Sequence, residues 1–295
     1  SFTMGRSGEF ASGPMAGTSF DVSGSVGRNE SSFGLNNTFN PSMGPDSPRN
    51  FETGSYIQLA KTFNVDMSKE YGSTSVAYGY EWRETTFSVI SGEESSWVAG
   101  PYATQGFNVG SHGFAGFSPD SAGAFSRRNY AVYGDVSNQV SDDLLVQGAL
   151  RYENYSSGLD TTNYKLAFNY QLTDDLALRG SHSTGFRAPT QGQANVVNTQ
   201  TTLVNGQLTQ AQTLPGFKLG AEQLQPEEST SFAFGIVATL GEVELTADWF
   251  YIEVDDRIAP TSNAAPTESQ RSAMTAPGIP NAELIGCLFY TSPTP

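Results

Sequence analysis

The 295-residue sequence predicts an all-β chain: an antiparallel transmembrane β-barrel fragment of about nine meandering strands, with short periplasmic turns and long extracellular loops. Three observations predict it. Apolar residues are dispersed by alternation rather than gathered in runs, the connectors alternate between short and long, and the chain is rich in glycine and rings, with 31 Gly, 13 Tyr and 19 Phe. Charged residues are 15% of the chain, against roughly 25% in soluble domains. Mean hydropathy is nevertheless −0.34, and no run approaches the ~18 apolar residues that a spanning helix needs.

The clearest hairpin lies in residues 163–189, NYKLAFNYQLTDDLALRGSHSTGFRAP. Tyr164, Leu166, Phe168, Tyr170 and Leu172 share one parity, while Lys165, Ala167, Asn169 and Gln171 share the other. A strand sends alternate side chains to opposite faces, so one face is apolar and the other wet. Thr173, Asp174 and Asp175 make a polar turn, after which Leu176 and Leu178 restart the alternation. A tilted strand of about 10 residues suffices to cross a bilayer. Slipping the register by one residue would put Lys165 into lipid, at roughly 2–4 kcal/mol for a midplane cation.

The same rule applied in chain order finds the remaining strands. Their apolar positions are Phe20, Val22 and Val26; then Ile57, Leu59, Phe63 and Val65; then Val76, Tyr78, Tyr80 and Trp82. Next come Tyr130, Val132 and Val136, and Leu144, Val146, Leu150 and Tyr152. Past the hairpin lie Phe232, Phe234, Ile236 and Leu240, and finally Val243, Leu245, Trp249 and Tyr251. Two places break the pattern. Lys61 sits on an apolar parity, which points to a bulge or a rim position, and Phe250 with Ile252 intrude on a polar one.

Short turns are expected at 67–72, 137–143, 173–175 and 241–242, and long Gly/Pro/Ser-rich loops at 29–53, 88–126, 187–228 and from 257 onward, with 156–161 the brief exception. A membrane barrel sorts its connectors by side in this way, whereas a soluble sandwich has no such obligation. Nine strands cannot close a single-chain bacterial barrel, whose strand number is even, so residues 1–258 are expected to be part of a larger barrel. Residues 259–295 are expected to form an extracellular loop and an irregular tail, and the start of the chain lacks the pattern of a signal peptide.

Composition also narrows function. A formal net charge of −15 argues against a nucleic-acid partner. The single cysteine, Cys287, leaves no intrachain disulfide and no thiolate cluster. Only His112 and His182 could act as imidazole bases, and no G-x-S-x-G elbow, H-E-x-x-H pair or phosphate-binding glycine loop occurs, so no enzyme, catalytic residue, metal site or cofactor is expected. Glu253, Asp255 and Asp256 lack calcium-loop spacing and read as a solvated strand end. The polar parities instead offer Glu81, Arg83, Arg151, Glu153, Arg179 and Arg187 as candidates for a charged, lumen-facing wall. Recognition of a ligand belongs on the loops at 97–125 and 190–223, where QGFNVGSHGFAGF suits stacking on sugars or flat aromatic chelates.

Five stretches, in order, resemble the barrel of TonB-dependent outer-membrane receptors: 40–51 (NPSMGPDSPRNF), 79–97, 178–189 (LRGSHSTGFRAP), 224–237 (LQPEESTSFAFGIV) and 245–258 (LTADWFYIEVDDRI). Pro189 and Pro226 can each end strand pairing, which suits the two ends of a long loop. The resemblance implies a parent that imports a scarce nutrient, such as an iron chelate, vitamin or oligosaccharide, across the outer membrane of a Gram-negative bacterium. It also implies outer-membrane lipid as surroundings, a plug domain outside this sequence, and energy delivered by the TonB complex through that plug. A passive porin, an outer-membrane β-barrel hydrolase and a soluble secreted sandwich are the competing readings.

Overall fold

The computed structural model describes residues 1–195, 198–204, 207–213, 224–260, 267–269, 286–288 and 290–291. Its strands are β1 (Phe2–Glu9), β2 (Thr18–Asn36), β3 (Asn50–Tyr71), β4 (Thr74–Ser91), β5 (Gly123–Ser141) and β6 (Leu144–Tyr155). They continue with β7 (Asp160–Thr173), β8 (Leu176–Arg187), β9 (Asn198–Val204), β10 (Gln207–Thr213), β11 (Glu227–Leu240) and β12 (Val243–Asp255). Ten of these make one antiparallel sheet in the order β1-β2-β3-β4-β5-β6-β7-β8-β11-β12, and β9 and β10 form a separate hairpin between β8 and β11. The sheet is an open arc among the described residues, with β1 and β12 at its edges.

All nine expected strands are present. A tenth, β1, pairs with β2 from Phe2↔Val26 to Glu9↔Ser19. Its sequence offers only Phe2 and Met4 as alternating large apolar residues before glycine and serine take over, too short a pattern to read. The turns after β3, β5 and β7 shrink to two residues each, at 72–73, 142–143 and 174–175, and the turn after β11 falls at 241–242 as expected. Gly72 and Gly241 take φ of 61° and 64°, as such tight hairpins require. Upper strand ends reach further than alternation suggests, so the loops expected at 29–53 and 88–126 contract to 37–49 and 92–122.

The two faces differ as the parity requires. In-register rows such as Val65, Tyr80, Val132 and Tyr152, or Phe168, Gly180, Phe234 and Trp249, build a continuous apolar face. Its large side chains are uncovered: Leu166 is 58% exposed, Trp249 62%, Phe168 40% and Phe234 44%. A soluble sandwich would pack a second sheet on them; among the described residues none does. A patch of this size needs an apolar environment, and lipid supplies one. Arg6 shares this face, in register with Val22 on the free edge of the sheet. Phe250 and Ile252 lie on the opposite, polar face, in register with Ala233 and Ser231.

Lys61 needs no bulge. Its pairing runs unbroken to Val26 on one side and Glu84 on the other, so it occupies a rim position on the apolar face. The register shifts lie elsewhere, at Phe33/Gly34, Gln139/Ser141 and Gln171/Thr173.

Candidate functional site

The polar face carries a chain of ion pairs, reinforced by charge-assisted hydrogen bonds at Glu153. Glu81 meets Arg83 at 3.0 Å and Arg151 at 3.4 Å, and Arg151 Nε donates to Glu153 Oε1 at 2.5 Å. Tyr155 donates its hydroxyl to Glu153 Oε2 at 2.6 Å. Four of the six candidate residues are therefore joined in one network across β4 and β6, although they are separated by up to 72 positions in sequence (81 to 153). Their carboxylates are well covered, with side-chain exposures of 18% for Glu81 and 13% for Glu153. A carboxylate that loses water needs such partners, because an unpaired charge removed from solvent is costly.

The other two candidates stand apart. Arg179 makes a fork with Asp248, Nε to Oδ1 at 2.9 Å and Nη2 to Oδ2 at 2.6 Å. Arg187 makes a second fork with Glu227, both contacts at 2.6 Å, and the two residues are direct register partners of β8 and β11. The amide of Ile258 also donates to Glu227 at 2.8 Å. The hydrogen bonds from Arg187, ahead of that amide, hold the Glu227 carboxyl down at about 2, and Glu227 is only 8% exposed. Asp248 and Glu227 were missing from the sequence-based set. Asp248 is hidden by the neighbouring Trp249 and Phe250, and Glu227 reads only as a polar rim residue; opposite charge at register partners would have found Glu227, whereas Asp248 lies two strands from Arg179, with Gly235 in register between them.

GFRAP and LQPEES thus meet in space. Pro189, two residues past the Arg187 fork, accepts a 2.6 Å hydrogen bond at its carbonyl from Arg127, whose guanidinium lies 4.9 Å from the Tyr155 ring. Helix α1 (Gln191–Asn195) follows and packs against β4 and β5. The chain beyond β8 therefore turns in over the polar face.

Residues 37–49 and 92–122 fold over the same face as one plate. Asn40 is fully buried at its centre: Nδ2 donates to the carbonyls of Ser95 and Val98, both at 3.0 Å, and Oδ1 accepts from the Ser42 amide and hydroxyl at 3.1 and 2.7 Å. Ser42 in turn bonds the amides of Gly100 and Tyr102. Gly100 is required there, since a Cβ would come within 2.3 Å of the Ser42 carbonyl oxygen. Phe33, Tyr56, Phe114 and Phe117 make an aromatic core under the plate, with ring centroids 4.8–6.1 Å apart. Phe117, at 2% exposed, and Val109, at 8%, are core residues, so only part of QGFNVGSHGFAGF remains available to a ligand. The exposed rings are Phe107 and Phe39, the latter stacked on His112 at 6.0 Å with the Arg49 guanidinium 5.7 Å away. His182, the other histidine, lies on the apolar face between Tyr164 and Phe232, at 5.4 and 4.2 Å.

An open antiparallel arc with an uncovered apolar face, a charge-paired polar face and loops sorted by side defines a membrane β-barrel. Residues 4–285 match the family model described as TonB dependent receptor-like, beta-barrel, and the chain belongs to that family, whose members are outer-membrane barrels of Gram-negative bacteria. Among solved structures it is similar to the siderophore receptor PirA of Acinetobacter baumannii, at TM-score 0.61 and 15% identity, covering 99% of this chain and 39% of PirA. A mutant of the ferric enterobactin receptor PfeA of Pseudomonas aeruginosa, in complex with enterobactin, gives TM-score 0.64 and 14% identity, with 98% and 38% covered. The FrpB iron transporter of Neisseria meningitidis gives 0.54 and 11%, with 87% and 36% covered. At these identities the likeness is one of fold, and the chain spans about two fifths of the length of the first of these structures.

Proposed function

We propose that this chain is the central wall of a receptor that takes up an iron–siderophore complex across the outer membrane, with energy supplied through TonB. The observation that carries the reading is the family match over residues 4–285; the siderophore class follows from the named ligands and roles of the structural neighbours. In this reading residues 1–258 are barrel wall, and 259–295 belong to a loop and tail, most of which lies outside the described residues. The polar face lines the lumen, and Glu81, Arg83, Arg151, Glu153, Arg179 and Arg187 face a plug domain. Their ion pairs, which draw in Asp248 and Glu227 as partners of Arg179 and Arg187, offset the wall's charges while leaving Arg83 and Arg179, with side chains 47% and 46% exposed, able to share donors with that plug. Arg49, Phe39 and His112 on the plate present a cation beside stacked rings, which suits a flat anionic chelate.

The test is uptake of radioactive iron by cells carrying the full-length receptor as their sole candidate route, offered as ferric enterobactin, as another ferric chelate, or as uncomplexed iron. Chelate-dependent, TonB-dependent uptake is expected. Equal uptake with and without the receptor for every chelate would overturn the reading.

A further inference from the structure

Residues 188–195 leave β8 and turn inward as a strap. Helix α1 packs against β4 and β5, which β6 and β7 separate from β8 in the sheet, so the strap crosses the polar face of those two strands. A Cβ on Gly192 would lie 3.8 Å from the Phe87 ring, on the parity of Glu81 and Arg83. Within the strap, Thr190 Oγ1 accepts from the Gln193 amide at 3.1 Å and the Thr190 carbonyl from the Ala194 amide at 3.0 Å. It is tied to the wall by Arg127 Nη1, which donates to the Pro189 carbonyl at 2.6 Å.

A neutral carbonyl is the weaker partner for a guanidinium; a hydrogen bond to a carboxylate is about twice as strong. Such a carboxylate is close by. The Arg127 guanidinium rests 4.9 Å from the Tyr155 ring centre, and the Tyr155 hydroxyl donates to Glu153 Oε2 at 2.6 Å, so one tyrosine side chain spans the gap between the two charges. Arg127 stays on the carbonyl because Glu153 already holds a cation: Arg151 Nε donates to its other oxygen at 2.5 Å. Arg151 is itself shared, with Glu81 at 3.4 Å, and its side chain is 34% exposed where that of Glu153 is 13%. An anion arriving on the polar face therefore meets Arg151 first.

We propose that Arg127 is a two-position latch on the strap. With Arg151 on Glu153, it holds the Pro189 carbonyl and the strap lies across the wall. When a carboxylate or other oxyanion in the lumen takes Arg151, Arg127 swings past Tyr155 to the vacated carboxylate and lets the strap go. The direction follows from charge, since a covered carboxylate stripped of its cation is costly. Arg83 does not fill the place, because Glu81 holds it and loses the same partner. The proposal rests on the polar face being the lumen wall, and it makes the charge state of that wall legible to the loop that begins with the strap.

Hydrogen exchange of the peptide 188–195 in the full-length receptor, read by mass spectrometry, tests it. Arg151→Gln should speed exchange about tenfold, the difference between a charge-assisted and a neutral hydrogen bond. Adding Glu153→Gln to that variant should return the rate to the parent's, because no carboxylate is left to draw Arg127 away; a brace that had merely been weakened would loosen further. Arg127→Gln should be fast in both backgrounds. A parent-like rate in folded Arg151→Gln overturns the proposal, as does a double variant as fast as Arg151→Gln. If Arg151→Gln does not fold, Glu153→Gln alone decides: exchange as slow as the parent's supports the latch, and fast exchange overturns it. Uptake plays no part in this readout, so failure here leaves the transport reading standing, and a receptor that imports no chelate leaves the latch standing.

Discussion

The first half of the sheet and the second half solve different problems with the same strand chemistry. Strands β2 to β5 run for 19, 22, 18 and 19 residues, about twice what a bilayer requires, and carry the folded plate of residues 37–49 and 92–122. Strands β6, β7, β8, β11 and β12 run for 12 to 14 residues and stop near the level where the apolar face ends. Lipid dictates the shared lower zone through alternation; above it the long strands obey a different rule. There they are held by a buried asparagine, close-approaching glycine and an aromatic core, which are the means of a small soluble domain. The short half is closed at its rim by the Arg187–Glu227 fork and the network around Glu153, and the Arg179–Asp248 fork ties it nearer the 174–175 turn.

The comparison can be broken most severely at the plate. Asn40→Ala leaves the Ser95 and Val98 carbonyls without their buried partner, at about 1–3 kcal/mol for each group left unsatisfied, while the Ser42 amide keeps its hydrogen bond to the Asn108 carbonyl. Limited proteolysis of the intact receptor should then cut within 92–122 while the barrel keeps its heat-modifiable mobility; simultaneous loss of both would show that plate and wall are one cooperative unit.

A smaller effect separates the faces of the short half. Leu166→Arg places a cation on the lipid side, costing about 2–4 kcal/mol if it lies at the midplane, whereas Ala167→Arg places it on the polar side without that cost. Urea-dependent folding of the receptor into vesicles should resolve the two variants, and identical curves would void the assignment of faces.

The seam between β8 and β11 should respond to acid. Glu227 titrates at about 2 in the folded protein, below its ordinary value of 4.5. A lowered carboxyl contributes stability that is whole above the ordinary value and is lost as pH falls toward the folded one, so the Arg187 fork should weaken between pH 4.5 and about 2. Exchange of the Ile258 amide, corrected for its intrinsic rate, should accelerate across that window in the parent and be flat and fast in Glu227→Gln. The smallest change is Tyr133→Phe, which removes the 2.6 Å hydrogen bond to Asp66 between β5 and β3 at about 0.5–1.5 kcal/mol, read as a shift in melting temperature.

Legibility in the sequence follows the same division. Where lipid on one side and polar surroundings on the other impose period two, as from Tyr164 to Leu172, strand, face and turn could all be read. Above the membrane zone that constraint lapses. Residues 29–36 of β2 and 50–53 of β3 read as loop because their alternation mixes Ser, Glu, Gly and Phe. The plate was invisible for a related reason: Asn40 reaches Ser95 and Val98 across more than 50 residues, and no local period announces such a contact. Parity alone offers the six candidate charges as one wall; it does not separate the linked set Glu81, Arg83, Arg151 and Glu153 from Arg179 and Arg187, nor name Asp248 and Glu227 as the partners of the latter two.

The Arg187–Glu227 fork joins the two residues between which the chain leaves the sheet and comes back. With those ends clasped side by side, the intervening stretch is a detachable cassette: doubling its length raises the closure entropy by only about 0.6 kcal/mol. Exchange of residues 196–226 between members of the family should therefore leave the wall beneath undisturbed, because Pro189 and α1, which rest on it, stay in place.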